Sequence, residues 1–281
     1  MAAIREISSA TRWTTWTMRC SNGACSRKRL LVPHIFRSYM GIYLGKEWFC
    51  SPECFETFLH GTITAAIAAQ QMNEPSKSRR MPLGLLLLQR GVLNSDQLAI
   101  ARAKQQVEGI NLGFAAQELG FATAEQVTAA VAAQWSCPVF TLPGRPLLFP
   151  VRVPRKLLEQ YEMLPVHYVE ADKRLMVGFV TRVQYQTLST IEGITGCDAL
   201  PCFITARDFQ RHMQMSVSPA PDNEIVFDRP MPTGEIARLG RNYVSQLGAK
   251  ATRLGMCRDY LWIRIWNEQQ YTDLLFRVQP D

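Results

Sequence analysis

The sequence lacks a long apolar run. Its longest such stretch, residues 81–88, is far shorter than the roughly 20 residues that a helix needs to cross a bilayer. The first residues, MAAIREISSATRWTTW, hold no continuous apolar segment of the kind that a signal peptide contains. We therefore expect a cytoplasmic protein with neither a membrane span nor a signal peptide.

The common motifs of catalysis are also missing. The nearest string to a phosphate loop, GIYLGKE at 41–47, is one residue short and has Glu47 where a hydroxyl belongs, so we expect a hairpin turn there. The sequence has neither a nucleophile elbow nor HExxH. Its histidines are scattered at His34, His60, His167 and His212, and we expect His167 to face solvent. Nothing here indicates an enzyme.

The length and the net charge of the chain allow several domain arrangements and several kinds of partner. A chain of 281 residues with 47% hydrophobic residues can build two or three ordinary domains. Its net charge of +7 suits an anionic partner such as a nucleotide, a nucleic acid or an acidic surface, although an ordinary basic surface also explains it.

Four of the eight cysteines lie close to the N-terminus. Their frame is C-x4-C-x24-C-x3-C, formed by Cys20, Cys25, Cys50 and Cys54. In a cytosolic protein such pairs indicate metal ligands before disulfides. A cysteine pair at a turn, two short strands and a second pair entering a helix bring four thiolates around one structural Zn²⁺. The alternative is four unconnected buried thiols.

This arrangement resembles small treble-clef or ribbon-like zinc modules. His34 and His60 are outside candidates for replacement ligands. The other cysteines show no metal spacing, and we expect packed free thiols at Cys137, Cys197, Cys202 and Cys257.

Two segments of the chain repeat each other at a spacing of 29 residues, PLGLLLLQRGVLNSDQLAIARAKQ at 82–105 and NLGFAAQELGFATAEQVTAAVAAQ at 111–134. A fixed period indicates one structural unit used twice. Asn94 precedes Gln97 by three residues and Thr123 precedes Gln126 by three, which is capping-box spacing. With Gly91 and Gly120 ending a first short helix, each copy predicts a short helix, a glycine turn and a longer helix.

Gly84 and Gly113 lie inside or at the start of the short helices, where glycine costs about 1 kcal/mol against alanine. Close packing of helices explains this cost, and so does close approach of a ligand to the backbone. The sequence leaves both explanations open.

The doubled pattern Leu-Gly-x6-Gly-x6-Leu/Val-x6-Gln resembles the MshEN domain, the cyclic-di-GMP-binding N-terminal domain of type II secretion and type IV pilus assembly ATPases. Segments 151–179 and 188–213 resemble the α/β half of that family, so the resemblance covers roughly 78–215. It implies a ligand-binding role for these positions: Leu83, Gly84, Leu87, Leu88, Gly91, Val92, Leu98, Gln105, Asn111, Leu112, Gly113, Ala116, Gly120, Phe121, Val127 and Gln134.

The chain departs from the family at the arginine that opens each motif and contacts a guanine base. Pro82 and Asn111 occupy these two positions, and Gln117 replaces an apolar residue. Arg79 and Arg80 are nearby cations that could reach back. Two missing charge-assisted contacts, each contributing about 1.5–3 kcal/mol, put ligand affinity in doubt more than they put the fold in doubt.

The remaining segments complete a predicted α+β multidomain fold. It comprises a zinc module at 15–70, an MshEN-like domain at 78–215 with a helical repeat half at 78–137 and an α/β half at 147–215, and a small α/β domain at 233–281. Polar 71–80 and proline-rich 216–233 are the predicted linkers. We predict a helix over 234–254 and a hairpin from the strands at 259–268 and 271–279, resembling the domain that precedes the motor in secretion ATPases.

Three functional hypotheses follow. The first is a non-enzymatic sensor that binds cyclic di-GMP and acts on a secretion or pilus assembly ATPase or a related machine component. The second is an adaptor that keeps the fold and has lost the ligand, as Pro82 and Asn111 favour. The third is a nucleic-acid-binding protein that uses the zinc module and the basic runs at 27–29 and 77–80.

Overall fold

The computed structural model describes residues 17–18, 20–25, 30–31, 41–72, 80–144, 147, 151–215, 223–268 and 270–279. Several predicted features lie outside the described residues. These are the N-terminal segment 1–16, the basic run 27–29, His34, and the linker residues 73–79 and 216–222.

The N-terminal part holds two small antiparallel strand pairs and a long helix. Its elements are β1 (Thr17–Met18), β2 (Leu30–Leu31), β3 (Ile42–Leu44), β4 (Glu47–Phe49) and α1 (Pro52–Met72). Gly45 lies between β3 and β4 with φ of 60°, a left-handed conformation that suits glycine in a tight turn. The string at 41–47 is therefore a hairpin, as predicted.

The two repeats fold as predicted, each into a short helix, a glycine turn and a longer helix. The elements are α2 (Leu83–Gln89), α3 (Ser95–Glu108), α4 (Leu112–Glu118) and α5 (Ala124–Trp135). Gly91 and Gly120 follow the short helices with φ of 66° and 70°. Equivalent glycines thus turn the chain in the same way in both copies.

Each long helix starts with a complete capping box. Asn94 Oδ1 accepts a hydrogen bond from Gln97 N at 2.8 Å, and Gln97 Oε1 accepts one from Asn94 N at 3.0 Å. Thr123 and Gln126 make the same pair of bonds in the second copy, at 3.2 and 2.8 Å. The boxes satisfy N–H groups that have no partner inside the helix and so fix where each helix begins.

The helices of the two copies pack across each other. Helix α2 contacts α5 and helix α3 contacts α4, so each short helix lies on the long helix of the other copy. Lys104 on α3 pairs with Glu118 on α4 at 3.1 Å. A shared core of leucines and alanines, including Leu87, Leu98 and Ala116, joins the copies into one unit. We call it the duplicated helical unit.

An α/β half follows. Its elements are α6 (Arg155–Gln160), β5 (Met163–Val169), β6 (Arg174–Phe179), α7 (Tyr185–Thr195), β7 (Asp198–Phe203) and α8 (Ala206–Met215). β6 lies between β5, with which it is antiparallel, and β7, with which it is parallel. His167 on β5 is exposed, as predicted.

The C-terminal part is β8 (Glu224–Met231), α9 (Thr233–Gln246), β9 (Ala251–Cys257), β10 (Tyr260–Trp266) and β11 (Tyr271–Val278). The hairpin of β10 and β11 confirms the prediction. Two other predictions were wrong. The predicted linker 216–233 contains β8, which tolerates Pro230 because it is an edge strand. The predicted helix 234–254 ends at Gln246, since left-handed Gly248 turns the chain into β9.

One six-stranded sheet combines the two ends of the chain, in the order β4-β3-β9-β10-β11-β8. β3 pairs in parallel with β9, placing Tyr43 opposite Ala251 and Leu44 opposite Thr252. Tyr43 N donates to Lys250 O at 3.1 Å, and Thr252 Oγ1 donates to Tyr43 O at 2.8 Å. The segments predicted as a zinc module and as a C-terminal domain therefore share a sheet, which the sequence did not predict.

At strand β10, both faces of this sheet are covered. Leu261, Ile263 and Ile265 of β10 face the core made with α1 and α9, whereas Tyr260 and Trp262 face the core made with the α/β half. Successive side chains of a strand point to opposite faces, so a strand buried on both faces is an unbroken apolar run. This position explains why the sequence of β10, YLWIRIW, is almost entirely apolar. Arg264 is its one charged residue.

The α/β half is fastened to the sheet by hydrogen bonds. Thr190 Oγ1 on α7 donates to Met256 O at 2.6 Å. The Glu224 carboxylate on β8 accepts from Arg155 N at 2.8 Å and from Lys156 N at 3.0 Å. A carboxylate at these unpaired N–H groups stabilises the start of α6. None of the helices in the described part of the chain combines the length and the apolar composition that a membrane span requires.

Candidate functional sites: a cysteine cluster and a duplicated helical unit

The four N-terminal cysteines meet as predicted. The Sγ atoms of Cys20, Cys25, Cys50 and Cys54 all lie within 4.8 Å of one another. Cys50 Sγ is 3.6 Å from Cys25 Sγ and 3.8 Å from Cys54 Sγ. Four sulfurs around one tetrahedral Zn²⁺ at about 2.3 Å would be about 3.8 Å apart. The four cysteines are positioned to hold a metal.

Local hydrogen bonds hold the segments that carry the four cysteines so that their sulfur atoms converge. Cys25 N donates to Asn22 O at 3.0 Å, which closes the turn between the first two cysteines. Ser21 N donates to Trp48 O at 2.9 Å, which ties that turn to the β3–β4 hairpin. Ser51 Oγ accepts from Cys54 N at 3.3 Å where α1 begins. The turn that carries Cys20 and Cys25 therefore lies next to the segment that enters α1, which carries Cys50 and Cys54.

Burial and the closeness of the thiols to one another change the pKa of three of the four cysteines. Burial raises the pKa of Cys20, and burial together with the neighbouring thiols raises the pKa of Cys50. Burial acts the same way on Cys54, but hydrogen bonds from Asn22 and Ser51 bring its pKa below the ordinary value. Close thiolates repel each other unless a cation lies between them, and a coordinating metal deprotonates them.

The described residues beyond the cluster add no further ligand. His60, an outside candidate in the sequence, lies on α1 with Nε2 at 3.2 Å from Thr233 Oγ1, where it links α1 to α9. The other cysteines are free thiols in packed surroundings, as expected: Cys137, Cys197, Cys202 and Cys257. Burial raises the pKa of Cys202 and of Cys257 to about 12, so these thiols stay protonated.

Close packing accounts for the early glycines of the repeats. A Cβ added to Gly84 would lie 2.9 Å from Leu98 Cδ1, and one added to Gly113 would lie 2.6 Å from Val127 Cγ1. Both distances are shorter than ordinary Cβ contacts, so a neighbouring side chain would have to move to make room for the added carbon. Of the two explanations that the sequence left open, the structure supports helix packing at these positions.

The positions predicted for ligand binding all lie in the duplicated helical unit, and many of them form its interior. Buried are Gly84, Leu87, Leu98, Gly113, Ala116 and Val127. Half-buried are Leu83, Leu88, Val92, Gln105, Leu112, Phe121 and Gln134. Exposed are Gly91, Asn111 and Gly120. The buried members therefore hold the helices together.

Two exposed apolar residues were missed in the sequence. Leu85 on α2 is 47% exposed and Phe114 on α4 is 44% exposed. They are equivalent, since both follow the glycine of their copy by one residue. The repeat alignment carried this signal, but only the structure shows that both side chains are left outside the core.

The two residues at the missing arginine positions act as helix starts. Asn111 Oδ1 accepts from Phe114 N at 2.8 Å and so caps α4. Pro82 precedes α2 and offers no side-chain hydrogen bond. Neither side chain replaces an arginine that contacts a base.

Two arginines do lie near the start of α2. The Arg80 guanidinium lies over the Trp135 ring, 3.5 Å from its centroid. Arg102 on α3 brings Nη2 to 3.5 Å from the Cβ position of Gly84. The sequence identified Arg80 only as a nearby cation and did not identify Arg102, because its contact depends on how α3 packs against α2.

Comparison with solved structures finds likeness over about half of the chain. A structure of MshE with c-di-GMP is similar at 20% sequence identity and a TM-score of 0.40, over 48% of this chain and 98% of that one. Two structures of the N-terminal domain of XpsE are similar at 19% and 20% identity, with TM-scores of 0.38 and 0.30. They cover 47% and 50% of this chain, and 92% and 99% of those chains. No protein-family model matches the sequence, and no curated protein does.

Proposed function

We propose that this chain is a non-catalytic regulatory protein that binds cyclic di-GMP through its duplicated helical unit. Its partner would be a type II secretion or type IV pilus assembly ATPase, or a related component of such a machine. The observation that carries the proposal is the equivalence of the two copies in motif, in the capping boxes of their long helices and in the exposed pair Leu85 and Phe114.

Cyclic di-GMP is itself a two-fold symmetric molecule. A unit in which two equivalent helix pairs pack across each other offers two equivalent surfaces to such a ligand. Leu85 and Phe114 stand at matching places on these surfaces and offer apolar area on which a base can lie. The half-buried residues of the doubled motif would complete the contact.

The cysteine cluster has a structural role in this proposal. Four thiolates fill a tetrahedral Zn²⁺ site and leave no position for a reacting water. The metal would hold the turn at 20–25 against the start of α1. Helix α1 in turn packs against α9, and both contribute to the core on one face of the six-stranded sheet. We therefore propose that zinc stabilises the part of the protein that joins the two ends of the chain.

Calorimetric titration of cyclic di-GMP into the purified chain tests the proposal, with GTP and cyclic di-AMP as matched ligand controls. We expect saturable binding at micromolar Kd or tighter that the controls do not reproduce. An absence of heat with tens of micromolar protein would show that the unit does not bind this nucleotide.

A second candidate is an adaptor that retains the fold without the ligand. It is favoured by Asn111, whose side chain is engaged in capping α4, and by the two glycines whose space is filled by the chain's own side chains. In this case the same titration gives no heat. The exposed Leu85 and Phe114 would then contact a partner protein.

A further inference from the structure

In the described part of the chain, a cavity of about 370 Å³ opens on the cysteine cluster. Its wall includes Cys25, Cys50 and Cys54, with the exposed Glu53 at its edge. Cys20 and Cys25 are buried, whereas Cys50 and Cys54 are half-buried. A small molecule that enters this cavity from solvent therefore meets Cys50 and Cys54 first.

These two accessible sulfurs are also close to each other. Cys50 Sγ lies 3.8 Å from Cys54 Sγ, and a disulfide has about 2.05 Å between its sulfurs, so an approach of about 1.8 Å separates the two states. Both residues lie in one short segment at the start of α1, four positions apart. The two thiols can therefore join without bringing distant parts of the chain together.

We propose that the Cys50–Cys54 pair is an oxidation site for a hydroperoxide, which converts the pair to a disulfide and removes two of the four metal ligands. This inference goes beyond nucleotide binding, and it rests on the zinc site of the proposed function. The size of the cavity suits a small oxidant, and the Glu53 carboxylate beside it favours an uncharged one such as hydrogen peroxide.

The reaction proceeds in two steps. The thiolate of one residue attacks a peroxide oxygen, the O–O bond breaks and hydroxide leaves, so that a sulfenic acid forms. The thiolate of the other residue then attacks this sulfur, the S–S bond forms, and the S–O bond breaks with loss of a second hydroxide. The two sulfurs give up two electrons, the peroxide accepts them, and two protons from solvent convert the hydroxides to water.

Oxidation would change how the two ends of the chain are joined. Metals bind thiolates, so the disulfide leaves only Cys20 and Cys25 as ligands, and the turn at 20–25 is released from the start of α1. Two hydrogen bonds between Ser21 and Trp48, at 2.9 and 3.2 Å, still connect this turn to β4. Because β4 pairs with β3 and β3 pairs with β9, loss of the metal would loosen the sheet where the two ends meet.

The test treats the full, zinc-loaded chain with hydrogen peroxide. A colorimetric chelator measures the released zinc, and mass mapping of peptides identifies the disulfide. We expect about one equivalent of peroxide to release about one zinc per chain and to join Cys50 to Cys54. A dithiol reductant with added zinc should restore the site. Hydrogen exchange at 20–25 and 41–49 should be faster in the oxidised chain than in the reduced one.

Cys137→Ser is the matched control, because Cys137 is a half-buried thiol outside the cluster. It should release zinc at the same rate as the unmodified chain. A slower release would show that the reacting thiol lies outside the cluster, which would overturn the inference.

Three further results would also overturn it. The first is a zinc-loaded chain that keeps its metal through several equivalents of peroxide, in which case the zinc site itself stands. The second is zinc release with a disulfide between any other pair, or with sulfinic acids and no disulfide. The third is a chain that takes up no zinc at all, which would refute the zinc site as well and leave the cyclic di-GMP proposal to its own titration.

Discussion

Leu83 and Leu112 occupy equivalent positions in the two repeats, and each lies beside the glycine that follows the other. A Cβ added to Gly84 would be 3.2 Å from Leu112 Cδ2, and one added to Gly113 would be 3.5 Å from Leu83 Cδ2. This reciprocal contact is where the two copies meet. It shows that the repeats form one unit, in which the glycines let the short helices approach each other.

The close contacts of Gly113 predict a loss of stability on substitution. An added methyl group would press against Val127 Cγ1, on a β-branched side chain with little rotameric freedom. We expect Gly113→Ala to lower the free energy of unfolding by about 1–3 kcal/mol, measured by urea denaturation. Gly84→Ala should cost less, because the tip of Leu98 can move.

Gly61→Ala is the matched control for this comparison. Gly61 lies within α1 and has nothing within 4 Å of its Cβ position, so alanine there should stabilise by about 1 kcal/mol. Equal effects of Gly61→Ala and Gly113→Ala would contradict the packing explanation. The experiment also shows that substitution of Gly84 or Gly113 tests the fold before it tests ligand binding.

Removal of the proposed zinc should weaken the pairing between the N-terminal and C-terminal strands of the six-stranded sheet. Because β3 pairs with β9, a disordered cysteine cluster would free the sheet edge as well as α1. We expect a chelator to release about one zinc per chain and to lower the unfolding temperature by roughly 10 °C or more.

Cys54→Ser should have the same effect as the chelator, and Cys137→Ser is the control because Cys137 lies outside the cluster. Elemental analysis and calorimetry provide the two measurements. A chain that is purified without bound metal and melts identically with and without added zinc would refute the zinc proposal.

Loss of the Arg264–Asp273 ion pair, which is buried in the sheet, should lower the free energy of unfolding strongly. Both side chains are over 90% buried, and Arg264 Nε and Nη2 each donate to the Asp273 carboxylate at 2.7 Å. Trp262 Nε1 also donates to it at 2.7 Å. Asp273→Leu should cost about 3–5 kcal/mol in urea denaturation, because it leaves a buried charge without its partner.

The double variant Arg264→Met with Asp273→Leu should recover most of that loss, since it leaves no buried charge. Additive losses in the double variant would mean that the pair is not coupled as the distances indicate.

We expect the stability of the protein to depend on pH through Asp228. A hydrogen bond from Lys156 and another from Tyr260 hold the pKa of Asp228 below its ordinary value, despite an opposing effect of burial. A lowered pKa in the folded state contributes stability above the unfolded value of about 3.9, and the contribution is lost as pH falls through the folded pKa.

We therefore expect Asp228→Asn to destabilise by at most about 1 kcal/mol at pH 6, because the side chain is largely exposed. The difference from the unmodified chain should begin to shrink as the pH falls below the unfolded value of about 3.9, and should disappear once the pH is below the lowered pKa of folded Asp228. Urea denaturation at several pH values provides the measurement. A difference that does not change with pH would rule out the ion pair as its cause.

Local features were predictable from the sequence, whereas contacts between distant segments were not. The capping boxes at Asn94 and Thr123 and the cysteine spacing depend on a few neighbouring residues, and they appear as predicted. The pairing of Tyr43 with Ala251 joins the two ends of the chain, and no local pattern encodes it. Likewise, strand β8 was not predicted, because the prolines around it indicated a linker. Arg80 could be placed over Trp135 only once α2 was known to pack on α5.

Hydrogen exchange of the full chain with and without cyclic di-GMP tests the central claim most directly, because it locates the ligand as well as detecting it. The account predicts slower exchange in the first copy around 80–90 and in the second copy around 109–121. Exchange in the cysteine cluster should not change. Unchanged exchange in both copies under saturating nucleotide, or protection confined to the cysteine cluster, would contradict the account.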